Sequence, residues 1–267
     1  MPDVSERDRA RASAEIADTA PGHTLSGRSV SENRDLTVTA AMRLKAAAAP
    51  ICAHAGRTDC VFLIGFSEAY TVDLTFAEAD KIFIFEELAR LLESEDEFAA
   101  ILAHDMGHQI AGHIDRARTD NAIGRVIAGT LVLTLDIALG TLHGLAAGNS
   151  AAGRYGYSSP RHRHASLGLG DRFRRLTFTT AQECEADYIA AYLLKRAGYD
   201  LSVARRVWIQ LAHATDGTSA GAFRNHQGSP YRLAAWDKAV AEVETSADLL
   251  PVRARWPQLV RDTGVED

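Results

Sequence analysis

The residues best suited to chemistry lie in Leu102-Ala-His-Asp-Met-Gly-His-Gln-Ile-Ala-Gly-His113. His104 and His108 stand four residues apart, and on a helix that spacing puts both imidazoles on one face. Two such nitrogens can hold one zinc ion at about 2.0–2.1 Å, leaving places for a third protein ligand and a water. Among ten histidines in 267 residues, one such pair is weak evidence by itself. Glu183-Cys-Glu-Ala-Asp187 supplies what the pair lacks. Glu183 offers a carboxylate ligand, and Asp187, one turn on, can accept the outward N–H of a metal-bound histidine. Taken singly, Glu183 and Asp187 would be an ordinary solvated helix face; their value lies in the combination.

Both stretches must therefore be helices packed together. Ser94-Glu-Asp-Glu97 reads as a capping box, and Phe98, Ile101, Leu102, Met106 and Ile110 follow at helical spacing, which predicts a helix to about His113. A second helix starts at Thr179-Thr-Ala-Gln182, carries Ile189, Leu193 and Leu194, and ends at Gly198. On these helices His113 reads as a structural group at the end of the first. Cys184 and Glu185 point away from Glu183, toward packing or solvent positions.

Upstream, Met42, Leu44 and Ile51 suggest another helix, followed by strand-like runs at 60–66, 70–74 and Lys81-Ile-Phe-Ile-Phe85. Residues 1–35 are rich in Ser, Arg, Asp and Glu and suit a loosely ordered N-terminal segment with one short helix, so the domain proper is expected over 36–267. Residues 126–147 are almost wholly apolar, but Asp136, His143 and three glycines interrupt them. A buried or membrane-surface helix fits that pattern better than a membrane span, which gives residues 126–147 as the expected membrane-surface contact. Residues 148–175 read as a long loop, within which Arg161-His-Arg-His164 is a solvated charge run.

His104-Asp-Met-Gly-His108 followed by Glu183-x-x-Ala-Asp187 resembles the gluzincin-type zinc metalloprotease family of HtpX, the CAAX prenyl proteases and BepA. The resemblance runs over roughly residues 36–250. Members carry an H-E-x-x-H helix with Gly before the second His, an E-x-x-A-D motif, and a later H-P-x-x-x-x-R element. This chain has His226-Gln-Gly-Ser-Pro-Tyr-Arg232, with the His-to-Arg spacing but no proline directly after His. The resemblance implies an α+β, mostly helical zincin-like domain with a small sheet. It also implies zinc held by His104, His108 and Glu183, with Asp187 orienting a ligand. His226 would lie near the metal as a switch or transition-state donor, and Arg232 would anchor its loop. A substrate-binding edge strand is implied ahead of the metal helix, and Ile82, Phe83 and Ile84 occupy that place; strand addition there would hold peptide backbone with little sequence demand.

One departure is serious. The family's general base is the Glu after the first His, where this chain has Asp105. Losing one methylene pulls the carboxylate back by about 1.5 Å, and misplacement of about 1 Å can cost on the order of a hundredfold in rate. The expected function is thus a zinc-dependent metalloendopeptidase acting on peptides or unfolded and damaged proteins, with Asp105 and His226 as its catalytic groups. The rival is a pseudoprotease that keeps zinc and cleft but serves as a chaperone-like binding module.

Composition agrees with an ordinary globular chain, at 46% hydrophobic and 24% charged residues, and a net charge of -6 gives no overall reason to expect a nucleic-acid partner. Cys52, Cys60 and Cys184 are too few for a disulfide framework. Cys52 and Cys60 could pair or stay as free thiols, and the sequence leaves both open. No apolar leader-like run precedes residue 24, so the default expectation is the cytoplasm, or the periplasm or a membrane if the N-terminus is trimmed.

Overall fold

The structure, a computed structural model, describes residues 3–19, 26–57, 60–68, 75–78, 81–116, 178–215 and 229–252. All but Arg116 belong to the unit formed by residues 1–115 and 177–267. The apolar run at 126–147, the loop at 148–175 and His226 lie outside the described residues.

The bounded elements are α1 (Glu6–Asp18), α2 (Val30–His54), β1 (Leu63–Ser67), β2 (Thr75–Glu78), β3 (Lys81–Phe85), α3 (Glu86–Ala89), α4 (Glu95–Ile110), α5 (Thr180–Ala197), α6 (Leu201–Thr215) and α7 (Pro230–Thr245), with helical backbone again at residues 113–116. The domain is α+β and mostly helical, as expected. Its core joins α4, buried along nearly its whole length, to α2 and α5, with Leu44, Ile51, Phe98, Leu102, Met106, Tyr188 and Tyr192 shut from solvent. A helix buried on every side loses the polar face that usually marks its boundaries. Its ends are therefore set by caps.

Ser94 accepts from the Glu97 amide at 3.4 Å and starts α4. The reciprocal half of the expected box is redirected, because the Glu97 carboxylate accepts from the Glu93 amide. α5 has the full box, Thr179 with Gln182, and ends at Gly198 with φ 77°. α4 stops at Ile110, three residues short of expectation, because Gly112 turns the chain at φ 69°.

The segment expected to be a loosely ordered tail carries α1, capped by Ser5 and Asp8, and that helix is docked. Ala12 and Ile16, four apart, bury one face of it. Arg205 of α6 holds both Glu15 and the α7 residue Asp237, and Lys238 of α7 pairs with Asp8 at 3.1 Å. α2 likewise starts at Val30, so the boundary expected at Leu36 falls inside a helix.

The sheet order is β1-β3-β2, with β1 parallel and β2 antiparallel to β3. This corrects the expectation for Ile82, Phe83 and Ile84. β3 is the central strand, its two sides taken by β1 and β2, and cannot accept a substrate strand. Ile82 and Ile84 are fully buried, as a central strand demands. Among the described residues, the remaining edges belong to β1 and β2. The second strand lies at Thr75–Glu78 rather than at 70–74. Gly65 lies opposite Phe83, whose ring would stand 2.7 Å from a Cβ there, so this glycine makes room for the ring. Cys52 and Cys60 form a disulfide that ties the last turn of α2 to the approach to β1.

Candidate metal centre

α4 presents His104 and His108, and α5 presents Glu183 and Asp187, all at most 4% exposed. The two Nε2 atoms stand 3.1 Å apart. Glu183 places Oε2 3.4 Å from His104 Nε2 and Oε1 3.6 Å from His108 Nε2. A zinc tetrahedron with ligand bonds of about 2.0–2.1 Å has edges of about 3.3 Å. The three separations are edges of that size, so the donor set fits a small divalent cation and the two histidines with Glu183 could hold it.

The far sides of these candidate ligands are also built. His104 Nδ1 lies 2.8 Å from Asp187 Oδ1, and because a carboxylate only accepts, Nδ1 donates and Nε2 keeps its lone pair for a metal. Arg232, in the first turn of α7, donates to Asp187 through Nε at 2.6 Å and Nη2 at 2.9 Å, and its Nη1 lies 2.9 Å from Glu183 Oε2. The Ser229 hydroxyl accepts from the Arg232 amide at 3.1 Å and starts that helix. One guanidinium thus braces the carboxylates of both roles, with Trp208 packed against Arg232 and His104.

Burial opposes ionisation of Asp187, yet Arg232 and His104 outweigh it and hold the carboxyl below the usual carboxylate range. Burial also opposes a charge on His104, but Asp187 and Glu183 raise its ring to about 9. Along this network the buried carboxylates are Asp105, Glu183, Glu185 and Asp187, against the buried guanidinium of Arg232. Charged carboxylates cost several kcal/mol per ion to bury unless compensated, and a divalent cation at the two Nε2 atoms would compensate those that ionise.

The sequence-based site residues His104, His108, Glu183, Asp187 and Arg232 are therefore brought together, and Asp105 is buried beside His104 on α4. Ile82 and Ile84 are buried in the sheet. Two residues read as bystanders join the network: His113 Nδ1 lies 2.9 Å from His108 Nδ1, and its Nε2 lies 3.0 Å from Glu185 Oε2. Phe178, just ahead of α5, stacks on His108 with ring centroids 3.9 Å apart. The signals that could have found them were Gly112, able to fold His113 back, and a second acid two residues after Glu183. Cys184 is a buried thiol, pushed up to about 12 by burial and the nearby Asp187, which makes it an inert packing group.

Residues 63–240, two thirds of the chain, match the family described as Peptidase family M48. The chain belongs to that family. It is a family of zinc metallopeptidases of the HtpX and CAAX protease type. The chain is similar to the mitochondrial metalloendopeptidase OMA1 of Schizosaccharomyces pombe, 24% identical over 182 residues that cover 67% of this chain and 47% of that protein. It is 31% identical over 133 residues to the OMA1 of Arabidopsis thaliana, covering 50% of this chain and 22% of that protein. The metalloprotease LoiP of Escherichia coli is 27% identical over 140 residues, 52% of this chain and 47% of its own length. The chain thus spans about half or less of the length of these curated relatives.

Proposed function

We propose that this protein is a zinc metalloendopeptidase that hydrolyses peptide bonds of unfolded or damaged proteins. The observation that carries the reading is the convergence of His104 Nε2, His108 Nε2 and the Glu183 carboxylate at tetrahedral-edge separations, within a buried network rich in carboxyl groups. When bound there, zinc supplies Lewis-acid chemistry, acidifying water and polarising the scissile carbonyl.

The chain's own groups then do the following. Asp187 and Arg232 fix the His104 ring, and Arg232 holds Glu183 in place. Asp105 takes the proton from the attacking water on its carboxylate and returns it to the leaving amine. His226 acts as the donor to the developing oxyanion, as the resemblance implies. Substrate backbone adds to an open edge, at β1 or β2, since β3 is enclosed.

Metal analysis of the purified protein, combined with cleavage of an unfolded substrate with and without chelator, tests this. About one zinc per chain, lost in His104→Ala and in Glu183→Ala, with chelator-sensitive cleavage, is the expected result. Stoichiometric zinc retained in both variants would sink the ligand assignment.

Asp105 favours a second reading, in which the chain binds zinc and unfolded polypeptide without turnover. A zinc-loaded protein that binds unfolded substrate and leaves it intact selects this binding module.

A further inference from the structure

We propose that His113 and Glu185 are positioning residues that fix the tautomer and orientation of His108, doing for the second histidine what Asp187 and Arg232 do for the first. The inference rests on the metal-site reading above. It begins from hydrogen-bond direction. Glu185 Oε2, on a carboxylate that can only accept, lies 3.0 Å from His113 Nε2, so that nitrogen carries the proton. A neutral His113 then has a bare Nδ1, which lies 2.9 Å from His108 Nδ1. His108 must donate there, and its own lone pair is left on Nε2, the atom 3.1 Å from His104 Nε2. Each step follows from the one before, and the chain ends with the lone pair where a metal would need it. The opposite tautomer of His113 would set a bare Nε2 against the Glu185 carboxylate, two acceptors with no proton between them, and its Nδ1–H would turn His108 Nδ1 into an acceptor, placing the His108 proton on Nε2, in the metal's place.

The fold builds this relay deliberately. His113 is wholly shut from solvent and Glu185 is 4% exposed, a burial that an acid on a solvated face would not show. Gly112, at φ 69°, ends α4 and returns His113 against the helix it has just left. Glu185 lies two residues beyond Glu183, so α5 sends one acid to the ligand atoms and the other to the far side of the His108 ring. Phe178 covers both rings, stacked on His108 and 6.0 Å from His113. Carboxylate, imidazole and ligand imidazole form one line, longer by a residue than the Asp187–His104 pair. Partners of this kind are worth about 10- to 100-fold in metal affinity.

Two measurements on the full chain test it. In the zinc-loaded wild type labelled with 15N-histidine, long-range proton–nitrogen spectra should show His113 protonated at Nε2 and bare at Nδ1, with His108 protonated at Nδ1. His113 found protonated at Nδ1 overturns the proposal. The second is zinc affinity by competition with a chromophoric chelator, paired with the visible absorption of the cobalt-substituted protein. His113→Phe keeps the ring volume but removes the acceptor, and should weaken zinc about 10- to 100-fold and alter the cobalt bands. Glu185→Gln, whose amide oxygen still accepts from His113, should recover most of that affinity, whereas Glu185→Leu should not. A folded His113→Phe protein with wild-type affinity and cobalt bands overturns the inference. If the wild type itself takes no zinc, the metal-site reading has failed instead, and the two failures are distinct.

Discussion

Gly107 of α4 meets Ala186 of α5 so closely that a Cβ on residue 107 would stand 2.4 Å from the Ala186 carbonyl oxygen and 3.0 Å from its Cα. The obstacle is backbone, so no side-chain rotation relieves it. Gly107 immediately precedes His108, and Ala186 immediately precedes Asp187. The contact therefore sets the separation of the two helices at the level of the candidate metal centre, where Glu183 approaches the histidines at 3.4 and 3.6 Å.

Gly107→Ala should accordingly weaken zinc at least about tenfold while lowering stability. Alanine gains up to about 1 kcal/mol of helix propensity over glycine, but overpacking against fixed backbone costs about 1–3 kcal/mol. Chelator competition and thermal melts check both parts. An unchanged zinc affinity in a folded Gly107→Ala protein would show that the helix separation is not what aligns Glu183.

For Asp105, charge and reach make opposite demands. Asp105→Glu should raise peptide hydrolysis at least about tenfold, or roughly 1.4 kcal/mol of transition-state stabilisation, with zinc content unchanged. Asp105→Asn should abolish turnover. A zinc-loaded Asp105→Glu protein that stays inert toward varied unfolded substrates moves the reading to the binding module.

Ile84 is fully buried on the central strand and pairs with Phe66 on one side and Thr75 on the other. Proline there removes a ladder donor from the middle of the sheet. Ile84→Pro should lower the melting temperature by several degrees, on the order of 1 kcal/mol or more for the lost ladder bond, rather than weaken peptide binding selectively. A protein that melts as wild type would place this strand at an edge after all.

The docking of α1 should be acid-sensitive. A side-chain hydrogen bond from Ser5 and the Lys238 ammonium hold Asp8 at about 2, and Arg205 depresses Glu15 below its ordinary range. Both folded values lie below the unfolded ones near 3.8 and 4.5, so the stabilisation is complete above those values and is lost as pH falls through the folded values. Amide exchange in Glu6–Asp18 should therefore accelerate between about pH 4 and pH 2, earlier than exchange in α4. Glu15→Gln should bring the opening to higher pH.

What was legible in the sequence was local. The spacing of His104 and His108, the Thr179 box and the Glu183 to Asp187 turn are each decided within a few residues, and the structure places these groups together. Sheet order was not legible, because Ile82 and Ile84 alternate in the same way on a central strand as on an edge. Glu185 was passed over because its two-residue offset from Glu183 does point it away; only the return of the chain at Gly112 gives it a partner. The buried pair Ala12 and Ile16 was hidden by the surrounding charges, which turned out to clamp the helix rather than solvate it.

That clamp imposes an order in time. Glu15 and Arg205 are 190 residues apart, and contacts so distant in sequence form late because a long stretch of chain must first be brought together. A ribosome adding about 5–20 residues per second takes about 10–40 s to cover that interval. Throughout it α1 is already made, with Ala12 and Ile16 uncovered and nowhere to dock. α1, made before the other described helices, is thus among the last of them to find its seat, with Glu6, Asp8, Arg9 and Arg11 beside its apolar pair.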